Sequence, residues 1–205
     1  MGHFEVAIRV EEQYIQNLLN VTKEVAPNSI IGSISYTCEK PHKIFFSGVK
    51  STNWNTYSSK SYFPQFYTTD PNELNGVHAT TALSGRGILI PINVLKKLNY
   101  FDEKFVQYGS DTDFCYRALK KGINIVISWD AKIFSHWKET GLGSPFIRQS
   151  LMEYSYNFIF NKYSSRYLGN NIRMLRKHFN PYLFPFLLIK ILFAKYKAYF
   201  RLKNI

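Results

Sequence analysis

The sequence predicts an α/β fold, and three observations carry that expectation. Short apolar runs alternate along the chain with segments of helical periodicity. The chain has 205 residues and a 45% hydrophobic content, enough for one domain with its own core and too apolar for a disordered chain. Turn and helix-stop residues such as Pro27, Asn28 and Gly122 separate the runs.

The elements follow in order. VEEQYIQNLLNVTKEVA, from Val10 to Ala26, carries Tyr14, Ile15, Leu18 and Leu19 at helical spacing and stops at Pro27. SIIGSISY then reads as a buried strand, and KIFFSGV as a second. From Lys50 to Asn75 the chain is polar and aperiodic, a long loop with room for one hairpin; loops of that length are uncommon unless functional. VHATTALSGRGILI supplies a strand, a glycine loop and another apolar run. PINVLKKL reads as a short helix with Pro91 at its first position. A helix runs from Asp111 to the stop at Gly122. INIVIS reads as a strand, and KIFSHW as one more strand or its exit. After GLGSP, FIRQSLMEYSYNFIFNKY and YLGNNIRMLRKHF are helical. Two parts are expected, an α/β catalytic domain over 1–145 and a basic, aromatic helical segment over 146–205.

Charge is unevenly spread. The net charge is +12, yet from Arg148 onward there are eleven Lys and Arg against one acid, Glu153. Such a tail suits an anionic membrane surface or nucleic acid. Within it, Pro185 and Lys190 interrupt the apolar run of NPYLFPFLLIKILFAKYKAYFRLKNI, so a spanning helix is disfavoured. A helix lying in the membrane interface fits, as does one packed on its own domain or on a partner subunit. The apolar runs suit lipid better than nucleic acid, and no nucleic-acid-binding motif is present. Cys38 and Cys115 have no metal or redox spacing, Cys115 reads as a small core residue, and a reducing compartment is expected. MGHFEVAIRVEEQ lacks the apolar centre of a signal peptide.

Three stretches point to chemistry: SGRGILIPINVLKKLNYFDEKF, YGSDTDFCYRALKKGINIVISWDAKIFSHW and KETGLGSP. Asp111 and Asp113 open a helix behind Gly109, where a carboxylate serves either as a helix cap or as a base. In the order and spacing of these elements, from about Val10 to Phe179, the chain resembles the second half of family-2 glycosyltransferases, the bacterial rhamnosyltransferase-like type in particular. That resemblance implies a partial GT-A fold: a mixed sheet lacking the N-terminal nucleotide-binding strands, followed by C-terminal helices. It also implies an inverting, nucleotide-sugar-dependent transferase of surface polysaccharide or glycan assembly, cytoplasmic and peripheral at the inner face of the bacterial membrane.

The site residues follow from the same resemblance. Asp111 is the expected base, with Ser110 standing where the family often has Glu. His136 matches a ligand of a divalent metal, Mn²⁺ or Mg²⁺, although a lone His at a strand end also serves structure. Gly85, Arg86 and Gly87 match the loop under the donor sugar or diphosphate, or form a plain turn. Asp113 either contacts an acceptor hydroxyl or stabilises the helix turn, and Trp137 either stacks on a sugar ring or fills the core. The expected partners are a nucleotide-sugar donor such as dTDP-rhamnose or a UDP-hexose, a saccharide or lipid-linked saccharide acceptor, and an anionic membrane surface.

Acids expected before the first helix, in a DxD-type motif, are not found. Only Glu5 lies near that place. The chain thus reads as an acceptor half, inactive alone, with an open sheet edge and a weakened metal site. The competing reading is a non-catalytic acceptor- or membrane-binding subunit whose partner chain supplies the donor half.

Overall fold

A computed structural model describes residues 8–136 and 149–203, and shows a mixed α/β fold with a mixed sheet and C-terminal helices. Strand β1 (Ile8–Val10) leads into helix α1 (Tyr14–Glu24), then β2 (Ile30–Thr37) and β3 (Ile44–Phe46). A hairpin, β4 (Val49–Asn53) and β5 (Ser58–Ser61), stands within the polar stretch that sequence marks as a loop. Next come β6 (Val77–Ala79), α2 (Ile92–Lys97), α3 (Ser110–Lys120) and β7 (Ile125–Ser135). Helices α4 (Leu151–Ile159), α5 (Leu168–His178) and α6 (Phe184–Lys203) follow.

The centre is the parallel pair of β2 and β7. Every residue of β2 is buried, because the sheet is covered on both faces. On one face α1 packs Tyr14, Leu18 and Val21 against Ile31, Ala131 and Ile133. On the other, Phe114, Cys115 and Ala118 of α3 meet Ile30, Ile34, Tyr36 and Ile127. A fully buried side chain such as Phe114 contributes about 1.5–3 kcal/mol. The other edge of β7 is paired antiparallel with β6 near its start and with β1 near its end. The outer strands β1, β3 and β6 are each three residues long, so short strands stand where sequence suggests an open edge.

Two strands expected from sequence, INIVIS and KIFSHW, are one. Their pairing with β2 jumps from Ser33↔Ser128 to Ile34↔Lys132, so Trp129, Asp130 and Ala131 bulge out of register. Other elements hold the bulge: Asp130 accepts from the Gly76 amide at 2.9 Å, and its carbonyl accepts from Asn17 at 2.9 Å. Conversely, the apolar run at 88–90 forms no strand. It contributes one bridge, Leu89 to Ile31, before Pro91 caps α2 from just outside the helix rather than from its first position.

The C-terminal helices share the core with α3. Met174, Leu175, Phe179, Leu187 and Ile191 belong to the same apolar cluster as Phe114. Pro185 lies in the first turn of α6, where its missing N–H costs nothing, so it starts the helix and does not break it. The β4–β5 hairpin joins the two parts. Trp54 packs on Tyr116 and Phe179, Tyr57 on Phe179, and Lys190 donates to the Thr56 carbonyl at 2.7 Å.

Candidate functional site

Gly109 sets the position of the acidic turn. Its φ of +94° is left-handed, a conformation glycine adopts without strain, and it forms the N-cap of α3. Asp111 is therefore not the cap. It lies in the first turn, half-buried, and ties the helix to the glycine loop: its Oδ2 accepts from the Gly85 amide at 2.9 Å and its Oδ1 from the Thr112 amide at 2.8 Å. Each carboxylate oxygen has further lone-pair capacity, so a third donor such as a hydroxyl is compatible with this geometry.

The same loop turns Arg86 toward the end of β7. Its Nη1 donates to Ser135 Oγ at 2.8 Å, and its guanidinium lies 5.3 Å from the Phe45 ring centroid. Burial lowers its proton affinity below the ordinary arginine value, while the nearby Tyr108 phenol works the other way. His136 follows Ser135 directly and is half-buried. Asp111, Gly85, Arg86 and the Ser135–His136 strand end are thus linked at the C-terminal ends of the two parallel strands. In α/β sheets that is where ligands bind.

Gly87 belongs elsewhere. Its φ is +64°, and a Cβ there would stand 2.1 Å from Ile133 Cδ1 and 2.4 Å from the Tyr14 hydroxyl. Its carbonyl accepts from Ser33 Oγ at 2.8 Å. The packing of α1 on the sheet requires a glycine here. Gly85 is the exposed one.

Asp113 is also enclosed. Its side chain has no exposed surface and sits among three basic groups: Arg117 Nε at 2.8 Å, Lys177 Nζ at 2.6 Å and His178 Nε2 at 2.7 Å. Burial alone would raise its carboxyl pKa, but hydrogen bonds from His178, Lys177 and Arg117 outweigh this and hold it well below the usual carboxylate range. Of its two expected roles, the surroundings provide the structural one. Arg117 continues from Asp113 to the carbonyls of Leu98 and Tyr100, and Lys177 to Asp102 Oδ2 at 2.8 Å. The GSDTDF and FDE segments are thereby locked to α5. Cys115 is fully buried, and burial pushes its thiol up to about 12, which fits the core role read from sequence.

Trp137 lies outside the described residues, as do Glu5 and the boundary at 145/146. Among the described residues no group of three or more His, Cys, Asp and Glu side chains is placed to hold a metal ion. The described residues do not by themselves make a metal site around His136.

Sequence gave no signal for a cavity of about 210 Å³ beside the acidic turn. Gln107, Tyr108, Tyr154, Asn157, Asn161 and Arg166 line it. Its residues come from α4, the α4–α5 connection and the approach to α3, which are far apart in the chain. Amides, phenols and a guanidinium suit a hydroxyl-rich ligand.

The fold and site together define an α/β protein with an acidic and a basic side chain at the carboxyl ends of two parallel strands. No family model matches the chain, and no curated protein matches it.

Proposed function

We propose that this chain carries the acceptor site of an inverting, nucleotide-sugar-dependent glycosyltransferase of the family-2 type. The observation that carries the reading is the hydrogen bond from Gly85 to Asp111, which sets a carboxylate beside the Arg86 loop. Asp111 takes the proton of the acceptor hydroxyl. The acceptor oxygen attacks the anomeric carbon from the face opposite the nucleotide. The bond to the diphosphate breaks, its electron pair leaves on the diphosphate oxygen, and the configuration inverts. Arg86 offsets the charge that develops there. The acceptor saccharide occupies the cavity of Gln107, Tyr108 and Asn157.

Source-cell membranes supplemented with the protein and with radiolabelled UDP-glucose or dTDP-rhamnose test the reading. It expects label in lipid-extractable saccharide that depends on the protein, and a loss of about 10²–10⁴-fold for Asp111→Asn. Protein-dependent incorporation that Asp111→Asn leaves unchanged would instead support a non-catalytic binding subunit.

A further inference from the structure

We propose that the solvent-facing side of α6 docks the protein on an anionic lipid bilayer. The proposal stands independently of glycosyl transfer. One side of α6 is committed to the fold, with Leu187, Ile191 and Tyr199 buried. The opposite side exposes Phe186, Ile189, Phe193 and Phe200, at 71%, 63%, 69% and 50% of their surface. Their spacings of three, four and seven residues place them on one stripe of the helix. Tyr182, 86% exposed, stands just ahead of it.

Cations run along the same side. Lys190, Lys197 and Arg201 are exposed, α6 contains no acid, and Lys197 Nζ lies 6.0 Å from the Phe193 ring centroid. This mixture selects the occupant. A row of cations calls for an anionic surface. Rings and an isoleucine set between them call for an apolar layer a few ångströms beneath that surface. An anionic bilayer offers both in one plane, headgroup phosphates above and acyl chains below. Duplex nucleic acid supplies the charge but no apolar layer for Ile189. The buried side of α6 fixes the orientation: the helix lies along the protein and so along the membrane. Among the described residues no helix is long and apolar enough to cross one.

Co-sedimentation of the full chain with phosphatidylcholine–phosphatidylglycerol vesicles, and with phosphatidylcholine alone, tests this. Binding is expected to the anionic vesicles and to weaken with salt. Lys197→Gln with Arg201→Gln should lower the partition by about thirtyfold, at about fivefold per cation. Phe186→Ser with Phe193→Ser should lower it by at least about tenfold. All four positions are exposed, and unchanged circular dichroism checks that the variants fold. A Phe193→Trp reporter should be quenched by brominated lipid. Absence of binding to the anionic vesicles, or binding that survives both double substitutions, would overturn the proposal. So would salt-sensitive retention on duplex DNA without binding to vesicles.

Discussion

Asp111 and Asp113 are two residues apart on the first turn of α3, and their surroundings divide their work. Asp111 keeps part of its surface and accepts two backbone amides; Asp113 has none and is enclosed by Arg117, Lys177 and His178. Removing the buried carboxylate takes a hydrogen bond and a counter-charge from three basic groups at once, so Asp113→Ala should cost about 3–5 kcal/mol in urea unfolding. The same contact sets a pH dependence. The folded carboxyl is held below its unfolded value, so its stabilisation is fully present above a pKa of about 4 and is lost as pH falls below it. Urea midpoints measured from pH 6 down to pH 3 should fall for the wild type and stay flatter for Asp113→Ala. Gly87→Ala should cost about 3 kcal/mol, since a methyl there meets Ile133 and Tyr14 and φ is positive. These roles were only partly legible. A carboxylate at a helix start reads the same whether it faces solvent or a basic cluster, and two of the three residues that enclose Asp113, Lys177 and His178, come from α5, more than sixty positions away.

Elements with a strong local pattern were legible, and those made by tertiary contact were not. The isoleucine-rich run of β2 and the periodicity of α1 and α3 each sit where sequence puts them. β7 reads as two strands because Asp130 and Lys132 interrupt the apolar run, and its pairing with β2 across the bulge is a long-range event. The β4–β5 hairpin, for which the sequence leaves room, has mostly polar strands and gains its place through Trp54 and Tyr57, which pack on Tyr116 and Phe179. Trp54→Ala should therefore cost about 2 kcal/mol and raise amide exchange in both the hairpin and the start of α6. Loss of protection in the hairpin alone would mean that it does not brace the C-terminal helices. Amphipathicity was legible in α6, but which of its sides meets the core was not. Its exposed stripe emerges only once Leu187 and Ile191 are seen buried.

At the scale of the molecule, three layers set the arrangement: α1, the sheet, and α3 with the C-terminal helices. The carboxyl ends of the parallel pair lie at one end of that stack, and there Asp111 and Arg86 meet through the glycine loop. The cavity at Tyr108 lies between the approach to α3 and the C-terminal helices. The proposed role of Asp111 is a chemical step in glycan assembly. The most direct test is the sugar composition of the surface glycan in a source strain deleted for this chain and complemented with wild type or with Asp111→Asn. Deletion is expected to remove a sugar from the glycan, wild type to restore it, and Asp111→Asn to accumulate to the wild-type level without restoring it. Full restoration by Asp111→Asn, or a glycan unchanged by deletion, would contradict it.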